Sequence, residues 1–150
     1  MPTLSEMIEA ARQRGAQKSL SYQGALLPQE AHELLTRAPG TKLIDVRTRA
    51  EWNYVGRIPG AVEIEWQTYP EGRPNPAFLA ELEAQVSKEA LVMFICRSGA
   101  RSHSAAEAAA AAGYTQCYNV LEGFQGDRDA DKHRDSVGGW RAAGLPWYQS

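Results

Sequence analysis

The sequence has few cysteines, little net charge and no long hydrophobic run, and each scarcity excludes a class of protein. Its 150 residues include two cysteines, too few for a disulfide framework, and Cys96 and Cys117 lack partners at the spacing of a zinc site. The formal net charge of −2 gives no electrostatic reason to bind DNA, RNA or an anionic membrane. No apolar stretch approaches the ~20 residues that span a bilayer. We therefore expect no metal ion, no nucleic acid and no membrane among its partners.

The N-terminal composition bears on location and on domain organisation. Glu6 and Glu9 stand where a signal peptide would need an apolar core. We therefore predict a cytoplasmic protein, in a reducing compartment where an important cysteine is more often reactive than structural. The length suits one domain over residues 1–150. Within it we expect an N-terminal helix and extension over 1–25, and a C-terminal loop and tail over 126–150 packed on the domain.

Apolar runs alternate with helical patterns along the chain, and this alternation predicts the fold class. Strands are predicted over Leu20–Gly24, Lys42–Val46, Ala61–Trp66, Leu91–Ile95 and Cys117–Leu121. Helices are predicted over Met1–Gly15, Pro28–Leu35, Thr48–Tyr54, Ala77–Val86 and Arg101–Ala112, and a loop over Pro70–Pro76. Strands that alternate with helices need crossover connections. The sequence therefore predicts an α/β fold with a twisted, mostly parallel β-sheet flanked by helices on both faces.

The segment from Leu91 to Ala112 contains the predicted site. A buried strand stops at Cys96, a short loop with Gly99 follows, and a helix begins at once. In a parallel sheet this is the carboxyl end of a strand, where ligand crevices form. The backbone N–H groups of the loop and of the helix N-terminus make a positive cradle, to which Arg97 and Arg101 add charge. These features favour a thiolate nucleophile at Cys96. Cys117, without cationic neighbours in sequence, is interpreted as core packing.

Two motifs carry a resemblance to a known family. The loop from Cys96 to Arg101, followed by a helix, resembles the active-site loop of the rhodanese family of sulfurtransferases. A second segment, Asp45 to Ile64, resembles that family's block of Asp-x-Arg, Glu-Trp/Phe and Gly-His-Ile-Pro-Gly-Ala. The resemblance runs from about Leu26 to Phe124. It implies a twisted parallel sheet flanked by helices, and it implies no metal or organic cofactor.

The resemblance also implies a two-step reaction. The Cys96 thiolate would take the outer sulfur of thiosulfate, or of a similar small anionic donor, and become a persulfide. The sulfur would then pass to cyanide or to a thiol, including that of a thioredoxin-like protein. The substrate-binding residues would be Arg97, Ser98, Gly99, Ala100 and Arg101. Their amides would stabilise the persulfide and the departing sulfite-like group, and the two arginines would attract the donor. An inward Arg101 that holds the loop is the alternative.

The length of the loop separates sulfur transfer from a related chemistry. Cys96 through Arg101 is six residues, whereas relatives that act as phosphatases or arsenate reductases have one residue more and a wider cradle for a tetrahedral oxyanion. The shorter loop fits a single sulfur atom better, so sulfur transfer is predicted and phosphatase or arsenate-reductase-like chemistry is the alternative. A non-catalytic, sulfur-sensing or binding module is a further alternative. The retention of Cys96 and both loop arginines favours catalysis.

Other polar residues near the motifs have supporting roles at most. Asp45 ends its strand near the same crevice and is expected to accept hydrogen bonds from neighbouring turns. Arg57 stands where the family usually has histidine. It has either a structural role in its turn or adds positive potential at the mouth of the cleft. His103 is disfavoured as a base, because an ionised thiolate needs none. Residues 126–138 form a mixed-charge loop that would overhang the site if the sheet is all parallel.

Overall fold

Five parallel strands form the central sheet of this computed structural model, which describes residues 2–149. Its elements in chain order are α1 (Leu4–Gln17), β1 (Gly24–Leu26), α2 (Pro28–Arg37), β2 (Lys42–Asp45), α3 (Arg49–Tyr54), β3 (Val62–Glu63), β4 (Gln67–Thr68), β5 (Arg73–Pro74), α4 (Phe78–Gln85), β6 (Leu91–Ile95), α5 (Ala100–Ala111) and β7 (Gln116–Val120). The sheet order is β1-β7-β6-β2-β3, and β4 pairs with β5 as a separate antiparallel ribbon. Within residues 2–149, no helix combines the length and the apolar character that crossing a bilayer requires.

Helices cover both faces of the sheet, as the alternation in β6 shows. Val92 and Phe94 point into a core that α4 and α5 close, whereas Met93 and Ile95 point into a second core under α1 and α2. The buried alanines of α5 belong to the first core, where their small side chains let the helix lie close to β6 and β7. The predicted α/β class, with a mostly parallel sheet between two layers of helices, is confirmed.

The boundaries of two elements near the N-terminus differ from the prediction, for one shared reason. The helix predicted over Met1–Gly15, whose first residue lies outside the described residues, is found as α1 but continues past Gly15 to Gln17, and the strand predicted at Leu20–Gly24 lies later, at Gly24–Leu26. A Cβ at Gly15 would lie 2.6 Å from the Gln23 carbonyl oxygen, and one at Gly24 would lie 2.2 Å from that of Ala11. These glycines therefore allow α1 and β1 to touch backbone to backbone, rather than stopping the helix and the strand.

The segment after α3 also differs from the prediction. The strand expected over Ala61–Trp66 is reduced to β3 at the sheet edge, although Ile64 and Trp66 still donate backbone hydrogen bonds to Asp45 and Val46. The predicted Pro70–Pro76 loop contains β5, which folds back on β4. This ribbon stands beside the carboxyl end of the sheet.

The carboxyl ends of β2, β6 and β7 meet at one edge because the three strands are parallel neighbours. The chain leaves these strands at Val46, Cys96 and Leu121. The segments that follow them therefore converge, and they contain the residues that the sequence motifs single out.

Candidate active site

Cys96 follows β6 directly and lies beneath the first turn of α5. Because side chains alternate along a strand, it shares the face of Val92 and Phe94, which α5 covers. The residue is 1% exposed, and its Sγ accepts a hydrogen bond of 3.1 Å from the Gly99 amide. A peptide dipole therefore points at a sulfur that is otherwise shielded from water.

Gly99 makes this hydrogen bond through its backbone conformation. Its φ of +115° lies in the left-handed region, which favours glycine. That turn aims the Gly99 N–H at Sγ, while the Gly99 carbonyl accepts from the His103 amide at 3.1 Å and begins the helical hydrogen bonding of α5. The same residue therefore caps the helix and contacts the Cys96 sulfur.

Ser102 and Asn119 complete the surroundings of the sulfur, and sequence reasoning missed both. The Ser102 Oγ lies 3.3 Å from Sγ and 2.6 Å from the Asn119 Oδ1. Asn119 in turn donates from Nδ2 to the Gly99 carbonyl at 3.2 Å. A signal was present for Asn119, because it is the one strongly polar side chain inside the otherwise apolar run Cys117–Leu121. Nothing in the sequence distinguishes Ser102 from Ser104, the other serine of its helix.

Arg101 binds Glu51 through its guanidinium group. Its guanidinium donates to the two carboxylate oxygens at 2.7 and 3.0 Å. Burial favours the protonated acid, but the hydrogen bonds and the charge of Arg101 outweigh it and hold the pKa of Glu51 below its ordinary value. Glu51 also accepts from the Thr48 amide in the capping box of α3. The ion pair therefore ties the first turn of α5 to α3.

Asp45 has a buried partner, Arg47, which sequence reasoning left without a role. Both side chains are fully buried, and Arg47 donates to Asp45 at 2.9 and 2.7 Å. Arg47 also donates to the Gly56 carbonyl at 2.7 Å and places its guanidinium carbon 4.1 Å from the centre of the Phe124 ring. The structure thus gives Asp45 a set of hydrogen bonds that join the end of β2 to two later turns.

The structure does not bring Arg57 to the loop. Its guanidinium donates to Glu63 at 2.6 Å and to Asn53 at 2.7 Å. Burial is the main cause that raises the pKa of Glu63, and the positive charge of Arg57 partly opposes it. The Arg57 backbone exchanges hydrogen bonds of 2.7 and 2.9 Å with Tyr148. Of the two roles considered for Arg57, these contacts favour the structural role in its turn over added positive potential at the mouth of the cleft.

His103 also points away from the sulfur. Its Nδ1 lies 2.6 Å from the hydroxyl oxygen of Tyr22. Burial, with a contribution from Glu107, raises the pKa of Tyr22 to about 12. The buried hydroxyl therefore stays protonated, and its hydrogen bond occupies Nδ1 of His103, so this nitrogen has a partner other than Cys96.

An open cleft of about 470 Å³ lies beside the loop. Arg97 and Arg101 form its floor, and Tyr54 and Tyr69, which are 81% and 70% exposed, stand at its rim. The cleft is further lined by Thr48, Ala50, Glu51, Val55, Gln67, Thr68, Pro70, Gly72 and Gln125. The ribbon of β4 and β5 therefore supplies one wall, and the volume is in the range of sites for small organic ligands.

The segment 126–138, which contains acidic and basic residues, lies against the loop. The amides of Gln125 and Gly126 donate to the Arg97 carbonyl at 3.0 and 3.1 Å, and Arg134 donates to the Gly126 carbonyl at 2.7 Å. Burial and the nearby charges of Arg97 and Arg128 lower the pKa of Arg134. Arg134 therefore lies near the positive charges of the Cys96 loop, with Asp127 as a nearby opposite charge.

Cys117 contrasts with Cys96. It lies in the core at the start of β7, and burial raises the pKa of its thiol to about 12. Its sulfur faces the Tyr114 carbonyl at 3.8 Å. Both cysteines are free thiols. In the part of the chain that the structure describes, no three His, Cys, Asp or Glu side chains are grouped as a metal site would require.

Comparison with known proteins agrees with this geometry. A family model for the rhodanese-like domain matches residues 27–130. The crystal structure of Rv0390 from M. tuberculosis is similar, with 46% sequence identity and a TM-score of 0.79 over 86% of this chain and 99% of that chain. An uncharacterised protein of Rickettsia conorii is 36% identical over 124 residues, 79% of this chain and 91% of the relative. The homodimeric polysulfide-sulfur transferase of Wolinella succinogenes, at 21% identity and a TM-score of 0.58 over 99% and 95% of the two chains, shares the fold.

Proposed function

The chain belongs to the rhodanese-like domain family, and from that premise we propose that it is a sulfurtransferase that carries a sulfane sulfur on Cys96. The observation that carries the proposal is the Gly99 amide, which donates at 3.1 Å to the Cys96 sulfur at the N-terminus of α5. A helix N-terminus and an aimed N–H group stabilise negative charge. Such a sulfur is suited to act as a nucleophile and to leave again as a thiolate.

The first half-reaction loads the cysteine. The Cys96 thiolate attacks the outer sulfur of thiosulfate, a bond forms between Sγ and that sulfur, and the sulfur–sulfur bond of the donor breaks. The electron pair of the broken bond leaves with sulfite. Arg97, exposed at the floor of the cleft, attracts the dianionic donor, and the loop amides from Ser98 to Arg101 stabilise the charge that develops.

The second half-reaction removes the added sulfur from Cys96. Cyanide or a thiolate attacks the terminal sulfur, the bond between that sulfur and Sγ breaks, and its electron pair returns to Cys96 as the thiolate. The products are thiocyanate or a new persulfide. Because donor and acceptor react in turn with one covalent intermediate, ping-pong kinetics are expected.

The size and shape of the cleft beside the loop favour one kind of sulfur acceptor. Its volume of about 470 Å³ exceeds what a five-atom donor requires, and two exposed tyrosines stand at its rim. This shape supports an acceptor thiol carried by a larger molecule, such as a thioredoxin-like protein. A reducing compartment such as the cytoplasm would keep both the acceptor thiol and the two free cysteines of this chain reduced.

Arg101, Asp45 and Arg57 enter the proposal as supporting residues. Arg101 holds the loop through Glu51, Asp45 holds the end of β2 through Arg47, and Arg57 holds its turn through Glu63. The remaining members of the loop, together with Cys96, form the reacting surface.

Thiocyanate formation from thiosulfate and cyanide tests the proposal. We expect activity in the wild-type protein and in Cys117→Ser, and none in Cys96→Ser. Intact-protein mass after thiosulfate treatment should show one added sulfur on Cys96 that cyanide removes. Equal rates in wild type and Cys96→Ser would overturn the assignment. Release of phosphate from a small aryl phosphate, lost in Cys96→Ser, would instead establish the phosphatase alternative.

A further inference from the structure

Ser102 contacts the Cys96 sulfur, and the number of hydrogens available to it determines what it does there. The hydroxyl has one hydrogen but three acceptors within reach: Sγ at 3.3 Å, the Gly99 carbonyl at 3.2 Å and the Asn119 Oδ1 at 2.6 Å. A hydroxyl donates once and accepts through its lone pairs. Ser102 therefore donates to one of these groups and turns lone pairs toward the rest.

Asn119 decides which group receives the hydrogen. Its Nδ2 donates to the Gly99 carbonyl, and this turns its Oδ1 toward Ser102. The reversed amide would place two acceptor oxygens against each other. The Gly99 carbonyl already accepts from the Asn119 Nδ2 and from the His103 amide, so both of its lone pairs are used. The 2.6 Å contact with Oδ1 is therefore the bond in which Ser102 donates.

We propose that Ser102 and Asn119 are positioning residues that hold the resting Cys96 as a thiol. With its hydrogen directed to Asn119, Ser102 presents a lone pair to Sγ and accepts the S–H hydrogen. When the thiol proton leaves to solvent, Ser102 must either face the anionic sulfur with a lone pair or turn its hydrogen to the sulfur. The second choice abandons the Oδ1 of Asn119, a buried side chain. The pair of Ser102 and Asn119 therefore opposes ionisation of the Cys96 thiol, whereas the hydrogen bond from the Gly99 amide favours ionisation.

The charged groups around the sulfur come from several elements. Arg101 of α5 is paired with Glu51 of α3, and Asp45 at the end of β2 is paired with Arg47. Arg97 is exposed in the loop. Substitution of Ser102 or Asn119 leaves these charges in place, so a change in the pH response reports on the hydroxyl.

Alkylation of Cys96 by iodoacetamide, a neutral reagent, measures the effect. Rates followed by peptide mass across pH are compared for wild type, Ser102→Ala, Asn119→Ala and the double variant. We expect Ser102→Ala to move the pH of half-maximal rate downward, with alkylation about three- to tenfold faster below the wild-type midpoint, because the thiol loses its acceptor. Asn119→Ala should also lower the pH of half-maximal rate. In the double variant it should cause no shift beyond that of Ser102→Ala, because Asn119 acts through the Ser102 hydroxyl.

Ser104→Ala, the same change on the same helix but outside the network, is the matched control and should leave the midpoint in place. An upward shift in Ser102→Ala would overturn the inference, because it would mean that Ser102 donates to the thiolate. A rate that rises equally at every pH, with a fixed midpoint, would also overturn it, since that is the effect of a more open pocket. If Asn119→Ala does not fold, the sign of the Ser102→Ala shift still decides.

The inference rests on the proposed function only in treating Cys96 as the reacting group. The alkylation experiment needs no sulfur donor. It can therefore contradict the inference without contradicting the proposed function, and the thiocyanate assay can do the reverse. A downward shift in Ser102→Ala with no thiocyanate formation in the wild type would leave the thiol-holding pair standing and would remove the sulfurtransferase assignment.

Discussion

Arg101 and Glu51, fifty positions apart in the chain, face each other through two nearly parallel hydrogen bonds of 2.7 and 3.0 Å. This fork-to-fork arrangement is geometrically demanding and stronger than a single contact. This ion pair fixes the first turn of α5 relative to α3. The loop that surrounds Cys96 leads directly into that turn. The terminal arginine of the loop therefore acts on its shape.

Glu51→Gln should destabilise the fold. The amide keeps a hydrogen-bond acceptor but loses the charge, so Arg101 is left part-buried with a weaker partner. We expect the free energy of unfolding in urea to fall by about 1–2 kcal/mol. Glu33→Gln, which breaks the exposed pair with Arg37, is the matched control and should stay near the wild-type value. An effect of equal size in both variants would contradict the structural role of Glu51.

The same carboxylate predicts a pH dependence of stability. Because the pKa of Glu51 is lowered in the folded protein, its contribution is complete above the ordinary value of 4.5 and is lost as pH falls through the lowered value. The difference in unfolding free energy between wild type and Glu51→Gln should therefore shrink as the pH falls from about 5 toward 3. Urea titrations at several pH values measure it, and a difference that is constant over this window would be evidence against the pKa shift.

Arg97→Ala should weaken the binding of the anionic sulfur donor. Arg97 is exposed at the floor of the cleft, where a dianion gains most from its charge. We expect KM for thiosulfate to rise about three- to tenfold at low ionic strength and the difference to narrow as salt is added. Arg97→Lys is the control that keeps the charge. If KM for thiosulfate is unchanged at low salt, the donor approaches elsewhere.

Removing one partner of the buried pair Asp45–Arg47 should cost more than removing both. Arg47→Met leaves the Asp45 carboxylate buried and unpaired, which we expect to destabilise the fold by about 3–5 kcal/mol. The double variant Asp45→Asn with Arg47→Met should recover much of this loss, because no uncompensated charge remains. Urea unfolding of the wild type, the two single variants Asp45→Asn and Arg47→Met, and the double variant measures the coupling. Purely additive losses would show that the pair is not the source of the stability.

The parts of the fold that the sequence predicts well are those set by local patterns. The apolar run Leu91–Ile95, the glycine after Cys96 and the alanine-rich helix are contiguous, so strand, loop and helix could be placed from neighbouring residues alone. The position of β1 could not, because Gly24–Leu26 becomes a strand by pairing with Tyr118–Val120, more than ninety positions away. The ribbon of β4 and β5 could not be predicted either, because β5 lies in a polar, proline-rich segment whose composition is typical of a loop.

The site divides in the same way. Cys96, Arg97 and Gly99 belong to one loop whose composition indicates its chemistry. The partners of that loop come from other elements: Glu51 from α3 and Asn119 from β7. Pairing across such distances leaves no periodic signal in the sequence, so the ion pair between Arg101 and Glu51 could not be predicted from it.

The depth of Cys96, 1% exposed under the first turn of α5, has a consequence for which reagents the protein tolerates. A slender leading atom, such as the terminal sulfur of a small donor, therefore meets less obstruction on its way to the sulfur than a broad group does. We expect bulky oxidants and disulfides such as oxidised glutathione to react with this thiol more slowly than with an exposed cysteine, which would protect it from unwanted oxidation between turnovers.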